Sequence, residues 1–416
     1  MHNLSTLEAA WKHRSRRSVG AVITVAGAYL LIMAGTTLPT PLYPIYREEF
    51  GFSVFIVTVI FATYVLGVLV ALFGVGRWSD VFGRKPMLVA ALGSALISTV
   101  LFLVADDLAV LLIARFFAGL SSGIFVGTAT VHMVELAPEK WKPSSASFLA
   151  TAVNVFGLGV GPLFGGLVVQ FIDFEPLRTV FWILLGLQVL AVLAILTVPE
   201  TVTREKPLRI PKFHRLTVPV AARPAFRRAV LPGVVGFAML GLYGAVAPSL
   251  LSDPMGIDSV AIQGAAVFAV FAGSAVMQLA TGAVPERTLI LIGCLLLLIG
   301  CASISAAILG NSAAGFIIAG VVGGAGQGAT MSKGVAQVAT AAPADERAAT
   351  TSTLFFCFYL GLAFPAIGIG AAALEWGLPH TTEVFGLLCA AGAAAALAVN
   401  YFGTREPRHP MASVEQ

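Results

Sequence analysis

The sequence predicts an all-α membrane protein, with twelve transmembrane helices in two pseudo-symmetric six-helix bundles. Three observations carry that expectation. The 416 residues are 58% hydrophobic and 11% charged, whereas a soluble chain carries about 25% charged residues. That is too little charge to coat a water-exposed surface, and a mean hydropathy of +0.91 agrees. Apolar runs of the length a helix needs to cross a bilayer, about 20 residues, recur along the whole chain. The basic residues fall on alternate connections between those runs, as the positive-inside rule requires.

The runs lie near 19–43, 53–75, 86–105, 108–132, 145–170 and 179–198, then near 229–250, 258–281, 287–309, 312–334, 350–373 and 382–402. The first follows Lys12, Arg14, Arg16 and Arg17, a pattern that imitates a signal peptide. It continues for over twenty residues before TTLPTPLYP, too long for a signal core, and is read as an uncleaved first span. With the N-terminus inside, cytoplasmic segments and ends hold 22 of the 25 Lys and Arg residues. The outer loops hold Arg47 and Arg178, and Arg115 lies within the fourth span. One miscounted span would scramble this split, so it supports orientation and count together. The expected location is a bacterial cytoplasmic (inner) membrane, with multiple passes and both termini cytoplasmic. The net charge of +4 is scattered in short pieces between apolar runs, which excludes a nucleic-acid-binding face.

Residues 1–18 are expected to be a cytoplasmic segment, 19–200 a first six-helix bundle, 201–228 a basic cytoplasmic linker, 229–402 a second bundle and 403–416 a cytoplasmic tail. The two bundles are similar in length, which suggests an internal repeat. Local matches support it. Gly76 with Asp80 after the second run is echoed by Gly282 with Glu286 after the eighth. Ala118, Gly119 and Gly123 are echoed by Ala319, Gly320 and Gly324, and Pro162 with Gly165 by Pro365 with Gly368. The four cysteines, Cys294, Cys301, Cys357 and Cys389, lie in apolar runs without metal spacing and are read as small packing residues.

Charge concentrates in GRWSDVFGRK, residues 76–85, on the turn between the second and third runs. Gly76 allows close helix approach, and Gly83 permits a turn conformation closed to other residues. Asp80 is placed to pair with Arg84 or to accept from backbone donors at a neighbouring helix start. The segment resembles the loop signature of the major facilitator family, matched by Gly76, Asp80, Gly83, Arg84 and Lys85. Trp78 and Val81 stand where that signature has a leucine and a basic residue. The resemblance implies the major facilitator fold and a gating loop whose aspartate helps to lock the two halves in the outward-facing state.

Two further motifs extend the resemblance. Arg115, with Ala118 and Gly119 following, is a charge within a span and therefore functional by default, although two turns from the outer end it could also snorkel outward. It resembles a family motif associated with proton-coupled members, with Ala118 in place of glutamine. Gly157, Gly161, Pro162, Gly165 and Gly166 combine a smooth glycine face with a proline kink. They resemble the family's antiporter signature at every fixed position, and this implies export. Arg115, His132 and Glu135 are the candidates for coupling. The resemblance implies a cavity lined mainly by helices 1, 4, 7 and 10, with help from 5, 8 and 11, which makes Tyr29, Asn154, Tyr243, Gln327 and Tyr359 the cavity candidates.

No phosphate-binding loop and no intramembrane catalytic or metal cluster is visible, so neither an enzyme nor a cofactor or metal is expected. The first span carries no acid, which favours neutral or amphipathic substrates. The expected function is secondary active transport by alternating access, as proton-coupled efflux of a small drug or metabolite. The expected partners are the lipid bilayer, the substrate and protons, with a monomer implied by the resemblance. A proton-coupled uptake symporter and a non-transporting membrane sensor remain alternatives.

Overall fold

The computed structural model describes residues 18–75, 78–202, 216–280 and 284–402. Gly76, Gly282, most of the basic linker and both terminal segments lie outside the described residues. Among the described residues there are twelve helices long and apolar enough to cross a membrane. They are α1 (Val19–Phe50), α2 (Val54–Gly74), α3 (Arg84–Leu103), α4 (Leu108–Leu136), α5 (Ser145–Phe171) and α6 (Pro176–Thr197), then α7 (Val220–Ala245), α8 (Val260–Ala280), α9 (Glu286–Leu309), α10 (Ala313–Ala341), α11 (Arg347–Trp376) and α12 (Leu378–Phe402). The two-bundle membrane architecture is thus the observed one.

Helix starts follow side-chain capping chemistry. Ser18 accepts from the Ala21 amide, Asp107 from Val110 and Ser312 from Gly315, at 3.0, 2.9 and 3.1 Å. Several helices outlast the apolar runs that announce them. α4 and α10 continue to Leu136 and Ala341, and α7 begins before residue 229, so the linker is shorter than the 201–228 expected. The extra turns carry polar residues such as Arg223, Arg227 and Glu135, which a count of apolar residues leaves out. In α1 a 3-10 turn at Thr40–Leu42, set among Pro39, Pro41 and Pro44, joins the span to a further helical segment ending at Phe50.

Within the first half α2 packs on α4 and α1 on α5; in the second, α8 packs on α10 and α7 on α11. The halves meet where α5 crosses α8 and α2 crosses α11. The repeat is visible in the glycine crossings. A Cβ on Gly119 would run into the Tyr64 carbonyl, and one on Gly324 into the Val270 carbonyl. Large apolar side chains, among them Phe171, Trp182, Leu190, Ile318 and Leu388, cover the outside. A belt of that extent marks a lipid-facing surface. Below, the linker side is the side carrying the one-turn helix Trp78–Phe82, and the distal side is its opposite.

Candidate functional site: a chamber between the two halves

A chamber of about 150 Å³ lies between the bundles and is walled by both. The first half contributes Thr36, Thr37, Phe61, Tyr64, Arg115 and Asn154; the second contributes Phe237, Ser274, Gln278, Gln327, Phe355 and Tyr359. It continues into a vestibule of about 770 Å³, with Asn154, Gln278, Met331 and Phe355 in both walls. The vestibule runs between the linker-side parts of α4, α5, α8, α10 and α11, past Thr130, Ser147, Leu279, Ala336 and Phe355.

The polar side chains in this wall are partly spoken for. Ser274 donates to Gln327 Oε1 at 2.6 Å, and Gln278 Nε2 donates to Ser274 Oγ at 3.0 Å, giving a hydrogen-bonded chain from α8 to α10. Thr37 donates across to the Leu158 carbonyl of α5 at 2.8 Å. Asn154 Oδ1 is buried with no hydrogen-bond partner among the described residues, an acceptor on offer. Tyr359 meets Phe237 edge-on at 5.9 Å. Tyr29 lies in the vestibule wall against Phe125. Tyr243 belongs to neither wall: it is fully buried, stacks on Phe316 at 4.7 Å and donates to the Phe316 carbonyl.

Arg115 does not snorkel. It is 1% exposed and reaches sideways into the chamber wall, where Nη1 donates to the Thr36 carbonyl of α1. Its guanidinium lies 5.1 Å from the Tyr64 ring centre and 5.9 Å from that of Phe61. The close crossing of α2 and α4 at Gly67 and Gly119 explains this path. Arg115 sits one turn before Gly119, so the tight crossing carries its side chain inward.

On the distal side the chamber is sealed. Glycine carries the seal because backbones touch there. A Cβ on Gly157 would sit 2.8 Å from the Leu30 carbonyl, and one on Gly165 would sit 2.7 Å from the Leu38 carbonyl. Gly161, between them, faces the Ala34 carbonyl, while Gly166 on the other face of α5 meets Val260 of α8. The motif glycines therefore press α5 on its own half and on the opposite one at once. Above them Arg47 forks onto Asp253, with Nη1 and Nη2 at 2.6 and 3.0 Å from the two carboxylate oxygens. This pair joins the halves across the distal mouth. Ser259 donates to Gln170 nearby, at 3.1 Å.

The loop motif sits at the other end, in a cluster within the first half. Arg84 donates to Asp80 Oδ1 at 2.5 Å, to Ser79 at 2.7 Å and, as a fork, to both oxygens of Glu135 at 3.0 and 3.3 Å. Glu200 accepts from the Arg84 and Lys85 amides, each at 3.0 Å, and so caps α3. Lys85 donates to the Leu196 carbonyl. Gly83 holds φ +102°, and a Cβ there would lie 2.5 Å from Glu200, so only glycine fits. His132 is fully buried, with Nε2 3.2 Å from the Pro199 carbonyl. Hence His132 and Glu135 belong to this cluster, apart from the chamber, and Arg115 is the coupling candidate the chamber contains. Among the described residues, the polar contacts of Asp80, Arg84 and Glu135 are with the first half and with Thr201 just after it.

Tyr64, Ser274 and the phenylalanines of the wall escaped the sequence reading. Tyr64 accepts from the Ser122 hydroxyl at 3.1 Å and is a principal neighbour of Arg115. Its spacing of three from Gly67 was the available signal, because that glycine marks the crossing face.

Similarity to known proteins accords with this geometry. The chain is 28% identical over 193 residues to a triacylglyceride transporter of Mycolicibacterium hassiacum, which is 45% of this chain and 32% of that protein. It is 25% identical over 155 residues to multidrug resistance protein 1 of Bacillus subtilis, 37% and 39% of the two chains. With the quinolone resistance protein NorA of Staphylococcus aureus it shares 25% identity over 141 residues, 34% and 36% of the two. The chain thus spans about a third of the length of the curated relatives it matches. Among solved structures, a POT family transporter in complex with a thioalcohol-conjugated peptide superposes with a TM-score of 0.73 at 14% identity, covering 92% of this chain and 96% of that one. The human organic anion transporter MFSD10 superposes with a TM-score of 0.62 at 16% identity, covering 91% and 99%. These two share the fold. The family model of the Major Facilitator Superfamily matches residues 25–305, and with twelve spans, the loop motif and an inter-bundle chamber in place, the chain belongs to the Major Facilitator Superfamily of membrane transporters.

Proposed function

We propose that the chain is a secondary active carrier working by alternating access, which exports a small amphipathic drug or metabolite in exchange for protons. The observation that carries the reading is the chamber itself: it is walled by both halves, open through a vestibule on the linker side and sealed on the distal side. A cavity accessible from one side, with glycine-lined crossings around it, supports a rocking of the halves about a fixed site. The linker side is taken as the cytoplasm, because the basic residues collect there, in a bacterial inner membrane with both termini cytoplasmic and the protein acting as a monomer. Opened to the cytoplasm, the chamber is loaded from inside, the order an exporter follows. The Gly157–Gly166 face supports the exchange direction through its resemblance to antiporters.

A carrier of this kind binds its substrate in the native state and so gains thermal stability from it. A melting screen of the purified protein identifies such a compound. In proteoliposomes with an imposed pH gradient, that compound moves opposite to the protons. Movement with the protons makes the protein an uptake symporter, and movement indifferent to them refutes proton coupling.

A further inference from the structure

We infer that the exported molecule is an amphipathic organic anion whose acid group pairs with Arg115. This rests on the carrier reading above and replaces the expectation of a neutral substrate. Arg115 is the reason. It is 1% exposed and stands in the chamber wall. Its guanidinium offers five N–H donors, of which one reaches the Thr36 carbonyl. Nε is buried with no hydrogen-bond partner among the described residues. None of the ion pairs among the described residues includes Arg115.

The wall around it makes the imbalance sharper. The residues lining the chamber and the vestibule include no Asp, Glu, Lys or His. Among the described residues, the continuous cavity therefore has a net charge of one positive unit, with no acidic side chain in its walls. Uncompensated burial of a cation is costly. The ring faces of Tyr64 and Phe61 offset part of that cost. The planar fork of a guanidinium is the geometry a carboxylate matches with a two-pronged hydrogen bond. A purely structural tie between α1 and α4 would need one donor to the Thr36 carbonyl, which a neutral amide or hydroxyl supplies without a buried charge. An incoming acid group supplies the missing counter-ion. The apolar remainder of the wall, Phe237, Phe271, Phe355 and Leu240, suits an aromatic or aliphatic body. The site thus reads as one acid group on an apolar frame.

The experiment holds the apolar body constant and varies the charge. Full-length purified protein in detergent is titrated with 2-naphthoate, 2-naphthamide and 2-naphthylmethylammonium, and binding is read from the melting-temperature shift. In wild type the carboxylate binds about tenfold more tightly than the amide, and the ammonium produces no shift. Arg115→Gln abolishes the difference between carboxylate and amide, and Arg115→Lys retains part of it. Equal shifts from carboxylate and amide, a preference for the amide or the ammonium, or no shift from the carboxylate overturns the inference. So does a carboxylate preference that survives Arg115→Gln. The wild-type series decides the matter even where the variants fail to fold. The pH-gradient assay is separate: exchange against protons by a neutral compound would leave the carrier reading standing while this inference falls.

Discussion

The Arg47–Asp253 fork is a contact that alternating access must break, which makes it a measurable weight on the conformational balance. Both oxygens of Asp253 are engaged, at 2.6 and 3.0 Å, but the side chains are 17% and 42% exposed. Water and salt therefore screen the pair, and its worth is near the upper end for exposed pairs, about 1 kcal/mol, rather than the about 3–5 kcal/mol lost on breaking a buried one. Asp253→Asn removes the charge and keeps the shape. Losing about 1 kcal/mol from the distally sealed state multiplies the ratio of distally open to sealed molecules by about five. Spin labels at Ser147 and Ala336, both exposed on opposite walls of the vestibule, report its width in a cysteine-free background. Wild type gives mainly the long distance; Asp253→Asn enlarges the short-distance population. The charge swap Arg47→Asp with Asp253→Arg restores the wild-type distribution. Molar salt reproduces the Asn phenotype in wild type, because it screens the same pair. An unchanged distribution in Asp253→Asn, or a swap that fails to restore it, refutes the latch.

The paired repeat positions give a contrast. Gly165→Ala forces a Cβ to 2.7 Å from the Leu38 carbonyl and costs about 1–3 kcal/mol with loss of transport, whereas Gly368→Ala, with nothing within 4 Å of the new atom, leaves thermal unfolding and transport unchanged. Gly83→Ala strains a φ of +102° and crowds Glu200, lowering stability by about 1–3 kcal/mol in thermal unfolding. Tyr243→Phe deletes the hydroxyl bonded to the Phe316 carbonyl and costs about 1 kcal/mol of stability, with ligand affinity unaltered. Gln327→Ala, by contrast, frees Ser274 in the chamber wall and changes the affinity of whatever compound the melting screen returns.

Span number and the loop turn were legible because each rests on a local cause. A run of apolar residues must cross the bilayer as a helix to satisfy its own backbone, and Gly83 occupies a conformation that side chains resist. What sequence does not carry is the rotation of each helix about its axis. A span such as Val54–Val70, VFIVTVIFATYVLGVLV, is apolar all round, so hydropathy does not distinguish the face that meets lipid from the face that meets the chamber. Hydropathy did not single out Tyr64 for that reason. The surroundings of His132 and Glu135 were out of reach for another. Both lie on α4 near the linker side, but their environment is made by the end of α6, through the Pro199 carbonyl and the Thr201 hydroxyl, contacts more than sixty residues away in sequence.

The position of Tyr243 follows from the repeat once its register is taken from the helix crossings. Gly119 meets the Tyr64 carbonyl of α2 and Gly324 the Val270 carbonyl of α8, so these two glycines correspond, one turn off the Gly119–Gly320 echo of the sequence. Arg115 and Gly320, each four residues earlier, therefore occupy equivalent places on α4 and α10. Arg115 fills its place with its own side chain, which donates to the Thr36 carbonyl of α1. Gly320 has no side chain, and the Tyr243 ring of α7 lies where a Cβ would meet it at 2.8 Å. That ring stacks on Phe316 and its hydroxyl donates to the Phe316 carbonyl, so Tyr243 is consumed in closing the second half. An uncharged ring satisfies the packing there, so packing alone does not account for a buried arginine in its counterpart. The asymmetry between two equivalent places is what directs attention to a ligand for Arg115, and a single positive charge on one wall of an otherwise uncharged chamber gives that ligand its sign.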